Sequence, residues 1–137
     1  MKAKYNIDED KALLFEVFYG DINLADLEDI VRHQMQNPAF NDVKKVISDT
    51  RGANVIISAH QLNDYVNGLK EYLSKVKIRW AIIVDDPRTA ALSILIKKDS
   101  FFKNRVEVFS TFEAAVHCLQ LALSQYEVEQ FEYTPVE

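Results

Sequence analysis

Four charged residues stand where two predicted strands end. Asp49 and Arg51 follow the apolar strand "VKKVIS", and Asp85 and Asp86 lie at the end of "IRWAIIV". Parallel strands bring their carboxyl ends to one edge of a sheet, where α/β proteins often bind ligands. The sequence therefore predicts a candidate ligand or partner site of two kinds of group. The carboxylates could exchange protons with a substrate, and Arg51 could bind an anion or pair with Asp49.

The same positions also fit structural roles. An acid before proline, as in Asp86-Pro87, is typical of the first turn of a helix. Ser110 follows the strand "VEVF", and its spacing from Glu113 predicts a capping box. An aspartate after a strand, such as Asp49, is common in turns. The structural interpretation is favoured over the functional one, and the group Asp49 to Gly52 is predicted to be a polar turn.

Ser58 and His60 have the residue types of a nucleophile and its base. Ser58 also stands three residues before Gln61, in the S-x-x-Q spacing of a capping box. The strand-turn-helix pattern G-x-S-x-G of a nucleophile elbow does not surround it. We predict a helix start at Ser58 rather than a hydrolase site.

Several classes of chemistry are disfavoured by composition and spacing. The three glycines form no phosphate-binding pattern, and the three histidines lack the spacing of metal motifs. Cys118 is predicted to be a structural thiol because its neighbour His117 points about 100° away around a helix. Asp49 superficially suggests a phosphoaccepting receiver domain, but the acidic pair follows a later strand and no lysine follows "VEVF". We predict no cofactor and no metal.

The bulk properties indicate one ordinary globular domain. The chain has 137 residues, 48% of them hydrophobic, and a net charge of -5. That charge disfavours nucleic-acid binding, which needs clustered Lys and Arg. The longest apolar run, "WAIIV", is far shorter than a membrane span, and the N-terminus has no signal-peptide pattern. We therefore expect a cytoplasmic protein without integral membrane association.

Periodicity predicts nine elements in the order β-β-α-β-α-β-α-β-α. The first two strands, Lys4 to Asp8 and Ala12 to Tyr19, form a hairpin, and the repeated β-α units predict a mostly parallel five-stranded sheet. The third helix is predicted to bury Ala90, Ala91, Ile94 and Leu95. The last helix is predicted over "STFEAAVHCLQLAL". We predict an α/β domain over residues 1–125 and an acidic tail over residues 126–137, either frayed or packed through Phe131 and Tyr133.

This layout resembles the SpoIIAA-like or STAS fold, including the bacterial group described as STAS/SEC14-like. The resemblance rests on "FYGDINLADLEDI", "VISDTRG", "RWAIIV" and "VEVFSTFEAAVHCLQLAL", in that order. It implies helices largely on one side of the sheet and no catalytic apparatus. Anti-sigma-factor antagonists of this fold carry a phosphorylated serine at a helix start. Ser58 is the nearest serine here, without the flanking Asp and Gly of that motif.

Three functions remain open from the sequence. The leading one is a non-enzymatic binding or regulatory domain, with a protein partner or small ligand. The second is a carrier of an apolar, lipid-like ligand, which the SEC14-like resemblance implies. The third is an enzyme using Asp49, Arg51 and Asp85. The apolar strand "WAIIV" needs cover on both faces, which a homodimer, a displaced helix or an apolar ligand would supply; we predict a homodimer.

Overall fold

The computed structural model describes residues 1–74 and 76–137. Within them the chain forms one six-stranded sheet with helices on both faces. The strands are β1 Ala3–Asp8, β2 Leu13–Ile22, β3 Lys45–Val55, β4 Arg79–Ile83, β5 Val106–Phe109 and β6 Thr134–Val136. The helices are α1 Leu24–Met35, α2 Ala59–Leu73, α3 Pro87–Lys98, α4 Phe112–Cys118 and α5 Gln125–Glu129, with a 3-10 helix at Pro38–Asp42.

The sheet order is β5-β4-β3-β2-β1-β6. Strands β2 to β5 are mutually parallel, while β1 pairs antiparallel with both β2 and β6. The predicted α/β class, the N-terminal hairpin and the parallel β-α units are confirmed. The sheet has six strands rather than five because residues Thr134–Val136 add an edge strand.

Each face of the sheet carries its own apolar core. Helices α1, α2 and α3 cover the face of Leu14, Val46 and Trp80, which we call the α1–α3 face. Helices α4 and α5 cover the other, the α4–α5 face, where Ala81 and Ile83 are fully buried. The three longer helices therefore lie on one side of the sheet, as the resemblance implied, and two short helices cover the other side. A displaced helix, α4, supplies the second cover that "WAIIV" requires.

The predicted turn at Asp49 is wrong, because strand β3 continues through it to Val55. The second half of β3 pairs with β2 after a one-residue shift between Val17 and Tyr19, which is a β-bulge. Gly52 pairs with Tyr19 directly after this bulge, and an added Cβ there would approach the Phe18 carbonyl oxygen at 3.3 Å. The polar residues Asp49 to Arg51 thus lie at a bulge within one long strand.

Helix α3 buries a face that shares only the half-buried Ala90 with the predicted one. Its buried residues are Thr89, Ser93 and Ile96, while Ile94 and Leu95 are each 45% exposed. The Ser93 hydroxyl donates to the Thr89 carbonyl oxygen at 2.8 Å, so its hydroxyl is satisfied without water. The hydrophobicity of the residues alone therefore did not predict which face of α3 is buried.

The last predicted helix is shorter than its apolar pattern. Thr111, not Ser110, is the N-cap of α4, and its hydroxyl accepts from the Ala114 backbone N–H. The helix ends because Gln120 adopts a left-handed φ of 55°. The chain then turns into α5.

Residues 126–137 pack against the domain. Phe131 and Tyr133 contact Phe15 with ring centroids 6.1 and 6.5 Å apart. The Tyr133 hydroxyl donates to the Val128 carbonyl oxygen at 2.7 Å. Of the two alternatives for this segment, the structure has the packed one.

Candidate functional site

Asp49 and Arg51 form a two-bond ion pair on the α4–α5 face. Arg51 Nε and one terminal nitrogen donate to the two Asp49 carboxylate oxygens, each at 2.9 Å. The Arg51 backbone N–H also donates to Asp49 Oδ1 at 3.1 Å. The hydrogen bond and charge of Asp49 raise the pKa of Arg51 against the opposing effect of burial. The two side chains satisfy each other within one strand.

Asp85 and Asp86 separate in the structure. Asp85 is exposed, and its charge is a smaller contributor to the raised pKa of Arg51. Asp86 instead caps α3 by accepting from the Arg88 and Thr89 backbone N–H groups at 2.9 and 3.0 Å. These bonds lower the pKa of Asp86. The structure thus brings Asp49 and Arg51 into contact, leaves Asp85 within electrostatic reach, and gives Asp86 a capping role.

Ser58 caps α2 as the sequence predicted. Its hydroxyl accepts from the Gln61 backbone N–H at 3.1 Å, and Gln61 Oε1 accepts from the Ser58 backbone N–H at 3.0 Å. Ser58 is exposed at this helix start. Phosphorylation of Ser58 stays a prediction.

A polar cluster that the sequence analysis missed lies within the α1–α3 core. Glu16 is only 6% exposed, and each of its carboxylate oxygens accepts one hydrogen bond. Gln34 Nε2 donates to Oε1 at 2.7 Å, and the Ser48 hydroxyl donates to Oε2. The Trp80 indole Nε1 donates to the Ser48 oxygen at 2.8 Å. These four residues, Glu16, Gln34, Ser48 and Trp80, are the Glu16 network.

Strand register assembles this network. Tyr5, Glu16 and Ser48 are direct partners across β1, β2 and β3, so their side chains share one face. Gln34 reaches the network from α1, where it follows the buried Leu27 and Ile30 at helical spacing. Two signals could have indicated the site: an acid inside the apolar run "LLFEVF", and a glutamine at a buried position of an amphipathic helix.

Burial dominates the electrostatics of Glu16. Removing the carboxylate from water raises the pKa of Glu16, and the hydrogen bonds from Gln34 and Ser48 only partly oppose that change. The pKa of Tyr65, on α2, is raised first by burial and then by the negative charge of Glu16. In the described part of the chain, the Tyr65 hydroxyl makes no side-chain hydrogen bond.

Two cavities adjoin the Glu16 network. The outer cavity, about 50 Å³, lies between the sheet, α1 and α2, and Glu16 and Gln34 line it together with Trp80. The inner cavity, also about 50 Å³, lies toward α3 and is lined by Ser48 and Thr50. Tyr65 and Trp80 line both cavities. Each volume holds one or two water molecules.

The outer cavity continues toward the surface in two directions. A basal opening of about 180 Å³ shares five of its lining residues: Phe40, Val46, Tyr72, Leu73 and Ile78. A surface cleft of about 60 Å³ between α1 and α2 shares Tyr72 and three others: Val31, Tyr65 and Leu69. The floor of the outer cavity is thus polar, while its walls and basal opening are mostly apolar. The predicted residues Asp49, Arg51, Asp85 and Asp86 do not line any of these four spaces.

Residues 1–74 and 76–137 contain neither a metal-binding cluster nor a membrane-spanning helix. No group of three or more His, Cys, Asp or Glu side chains there could hold a metal ion. No helix within those ranges has both the length and the apolar character to cross a membrane.

Comparison with known proteins identifies the fold. No family model matches the chain, and no curated protein matches its sequence. Among solved structures, the chain is similar to an uncharacterised protein of the DUF3478 family from Shewanella loihica PV-4, described as having a SpoIIAA-like fold. The TM-score is 0.56 at 17% sequence identity, covering 78% of this chain and 83% of the other. The resemblance to the SpoIIAA-like fold is therefore confirmed.

Proposed function

We propose that this protein is a non-enzymatic binding domain that receives a small, largely apolar ligand between its sheet and helices α1 and α2. The observation that carries the proposal is the Glu16 network at the floor of an apolar cavity that continues to the surface. Sites of this kind combine apolar walls with a few polar groups. Removing the apolar walls from water favours binding, and the polar groups fix the orientation of the ligand. The SpoIIAA-like fold supports a binding role only by analogy.

The size of the cavity defines what binding requires. The outer cavity of about 50 Å³ is smaller than the roughly 300 Å³ or more of common ligand pockets. A ligand of more than a few atoms must therefore extend into the basal opening past Tyr72 and Leu73. Tyr72 is already 52% exposed, so its side chain can move without losing much packing.

Native mass spectrometry of the purified protein, after incubation with straight-chain apolar compounds, tests this proposal. The blocking variant is Val31→Phe, which adds volume at the wall shared by the outer cavity and the surface cleft. Its matched control is Val116→Phe, also a half-buried helical valine but on the α4–α5 face. We expect the wild type and V116F to bind and V31F to lose binding. Absence of binding to the wild type, or equal binding by V31F, would overturn the proposal.

A regulatory role through a protein partner is the second proposal, and it depends on Ser58. The exposed Ser58 is the serine nearest to the helix-start position that the SpoIIAA-like resemblance associates with phosphorylation, without the flanking Asp and Gly of that motif. A phosphate there would also lie at the positive end of the helix dipole. Phosphoproteomics of the protein from its host, with Ser124 as an exposed N-cap serine for comparison, would test it. Finding Ser58 unmodified under all growth conditions would remove the proposal.

The enzyme alternative would use Asp49, Arg51 and Asp85. We favour the non-enzymatic proposal because Arg51 and Asp49 already satisfy each other.

A homodimer and a cytoplasmic location in a bacterium also remain proposals. The homodimer no longer rests on β4, whose two faces are covered, but on the exposed Ile94 and Leu95 of α3. Light scattering of the wild type and of a variant with both residues changed to serine tests it. A monomeric wild type would overturn it.

A further inference from the structure

Glu16 is a buried acid without a cationic partner in the described residues. The ion pairs of this part of the chain join other acids to their bases, and the residues lining the outer cavity include no Lys, Arg or His. A buried carboxylate is normally paired with a positive group or neutralised by a proton. Burial raises the pKa of Glu16 because the ionised carboxylate loses water, a cost that either a proton or a positive partner offsets. A ligand cation could take the place of that proton.

The carboxylate has acceptor capacity left for such a ligand. Two carboxylate oxygens offer about four lone-pair positions. Gln34 and Ser48 occupy one on each oxygen. Because Glu16 also lines the outer cavity, a donor placed in that cavity can reach a remaining position.

Aromatic walls favour a positive group in the same space. Four aromatic side chains line the outer cavity: Phe40, Tyr65, Tyr72 and Trp80. The faces of aromatic rings attract cations, and pockets of several aromatic residues are a common way to bind alkylammonium groups. An acid among aromatic rings therefore discriminates in favour of an ammonium group over a neutral or anionic one.

The surface cleft leading to this space has an acidic rim. Glu28 and Asp64 line it, one from α1 and one from α2. Arg32 is the one base among the described lining residues, and it pairs with Asp29. The rim therefore attracts cations and repels anions.

We propose that the ligand is a hydrophobic primary amine in its protonated form, with the ammonium group hydrogen-bonded to Glu16 and the apolar chain along Val46 and Ile78 into the basal opening. This inference rests on the proposed function and names the chemical class of its ligand. The ammonium group and its first carbons fit the outer cavity of about 50 Å³, and the rest of the chain fits the opening of about 180 Å³.

The test compares three ligands of equal chain length on the wild-type protein: n-octylamine, 1-octanol and octanoate. Trp80 is the single tryptophan, and its indole belongs to the network, so its fluorescence reports binding directly. We expect octylammonium to bind roughly tenfold or more tightly than octanol, and octanoate to bind most weakly. This ligand series needs no variant and so does not depend on how a variant folds.

The variant Glu16→Gln then tests the origin of the preference. It is close in shape and removes the charge, so the preference for the amine over octanol should be lost. Glu132→Gln, an exposed acid near the C-terminus, makes the same change of charge elsewhere and should keep the preference. Equal binding of all three ligands by the wild type would overturn the inference and leave the proposed function intact. Failure of every ligand to bind would overturn both.

Discussion

The indole Nε1 of Trp80 donates a hydrogen bond of 2.8 Å to the Ser48 hydroxyl, on the neighbouring strand. Ser48 is 1% exposed, and its hydroxyl donates a hydrogen bond to the Glu16 carboxylate. The Ser48 hydroxyl thus accepts from the Trp80 indole, which can only donate, and donates to the Glu16 carboxylate. Because the three groups lie in a core, removing the hydroxyl leaves two of them short of a partner.

We therefore expect Ser48→Ala to lower the free energy of unfolding by about 2–3 kcal/mol, since an unpaired buried donor retains its desolvation penalty. The measurement is urea unfolding followed by Trp80 fluorescence. Ser93→Ala is the matched control, because Ser93 is also buried on the α1–α3 face but donates to a helix carbonyl oxygen, that of Thr89. It should cost less than about 1 kcal/mol. Equal losses in the two variants would show that the link through Ser48 has no special weight.

Glu16 predicts a specific dependence of stability on pH. Its folded-state pKa is raised by burial, so the unfolded chain gives up this proton at a lower pH than the folded chain. Over that window the folded state binds more protons, and the free energy of unfolding falls as pH rises. The loss begins above the ordinary glutamate value of about 4.3 and is complete once pH exceeds the raised value.

Comparison of the wild type with Glu16→Gln isolates this contribution. We expect the stability difference to move in favour of E16Q as pH rises from 4 to 8, measured by urea unfolding at each pH. Tyr65 from α2 and Tyr5 from β1 also face Glu16, and His33 of α1 hydrogen-bonds Tyr5 at 3.0 Å. These groups remain in both proteins. Glu71→Gln, an exposed change on α2, should give no such trend; a flat difference for E16Q would contradict the prediction.

The Asp49–Arg51 pair should contribute little to stability and nothing to binding in the outer cavity. Both side chains lie on the α4–α5 face, and the Arg51 side chain is 35% exposed. Partly exposed pairs contribute about 1 kcal/mol or less, and salt weakens them. A double-mutant cycle of Asp49→Asn and Arg51→Met should give a coupling energy of that size, smaller at high salt. Loss of ligand binding in D49N would instead favour a site at Asp49 and Arg51.

The sequence was informative where one physical signal dominated and less so where tertiary contacts decided. The capping box at Ser58 and the cap at Asp86 are local, and both were predicted correctly. Strand β3 continues past Asp49 because its partner β2 is long enough to pair with it, which its own residues do not reveal. Ser93 is buried because a helix carbonyl satisfies its hydroxyl, and a hydrophobicity pattern cannot register that bond.

The candidate site shows the same limit more strongly. Asp49 and Arg51 were predicted as a candidate site because charged residues follow an apolar run, yet in the structure they pair with each other. Glu16 was not predicted as a site residue, because a single acid within an apolar strand resembles an interruption of the apolar pattern. Its meaning depends on Gln34, 18 residues away, and Ser48, 32 residues away. Only the sheet register and the position of α1 bring these groups together.

The last segment of the chain should contribute substantially to stability. Phe131 and Tyr133 pack on the fully buried Phe15 of β2, and β6 covers the free edge of β1. We expect Phe131→Ala to lower the free energy of unfolding by about 2–3 kcal/mol, below the full aromatic value because the side chain is only half-buried. Tyr126→Ala is the control, since Tyr126 is 70% exposed and should change stability by less than about 0.5 kcal/mol. Thermal and urea unfolding measure both variants, and similar stabilities for the two would mean that this segment packs only loosely against β2.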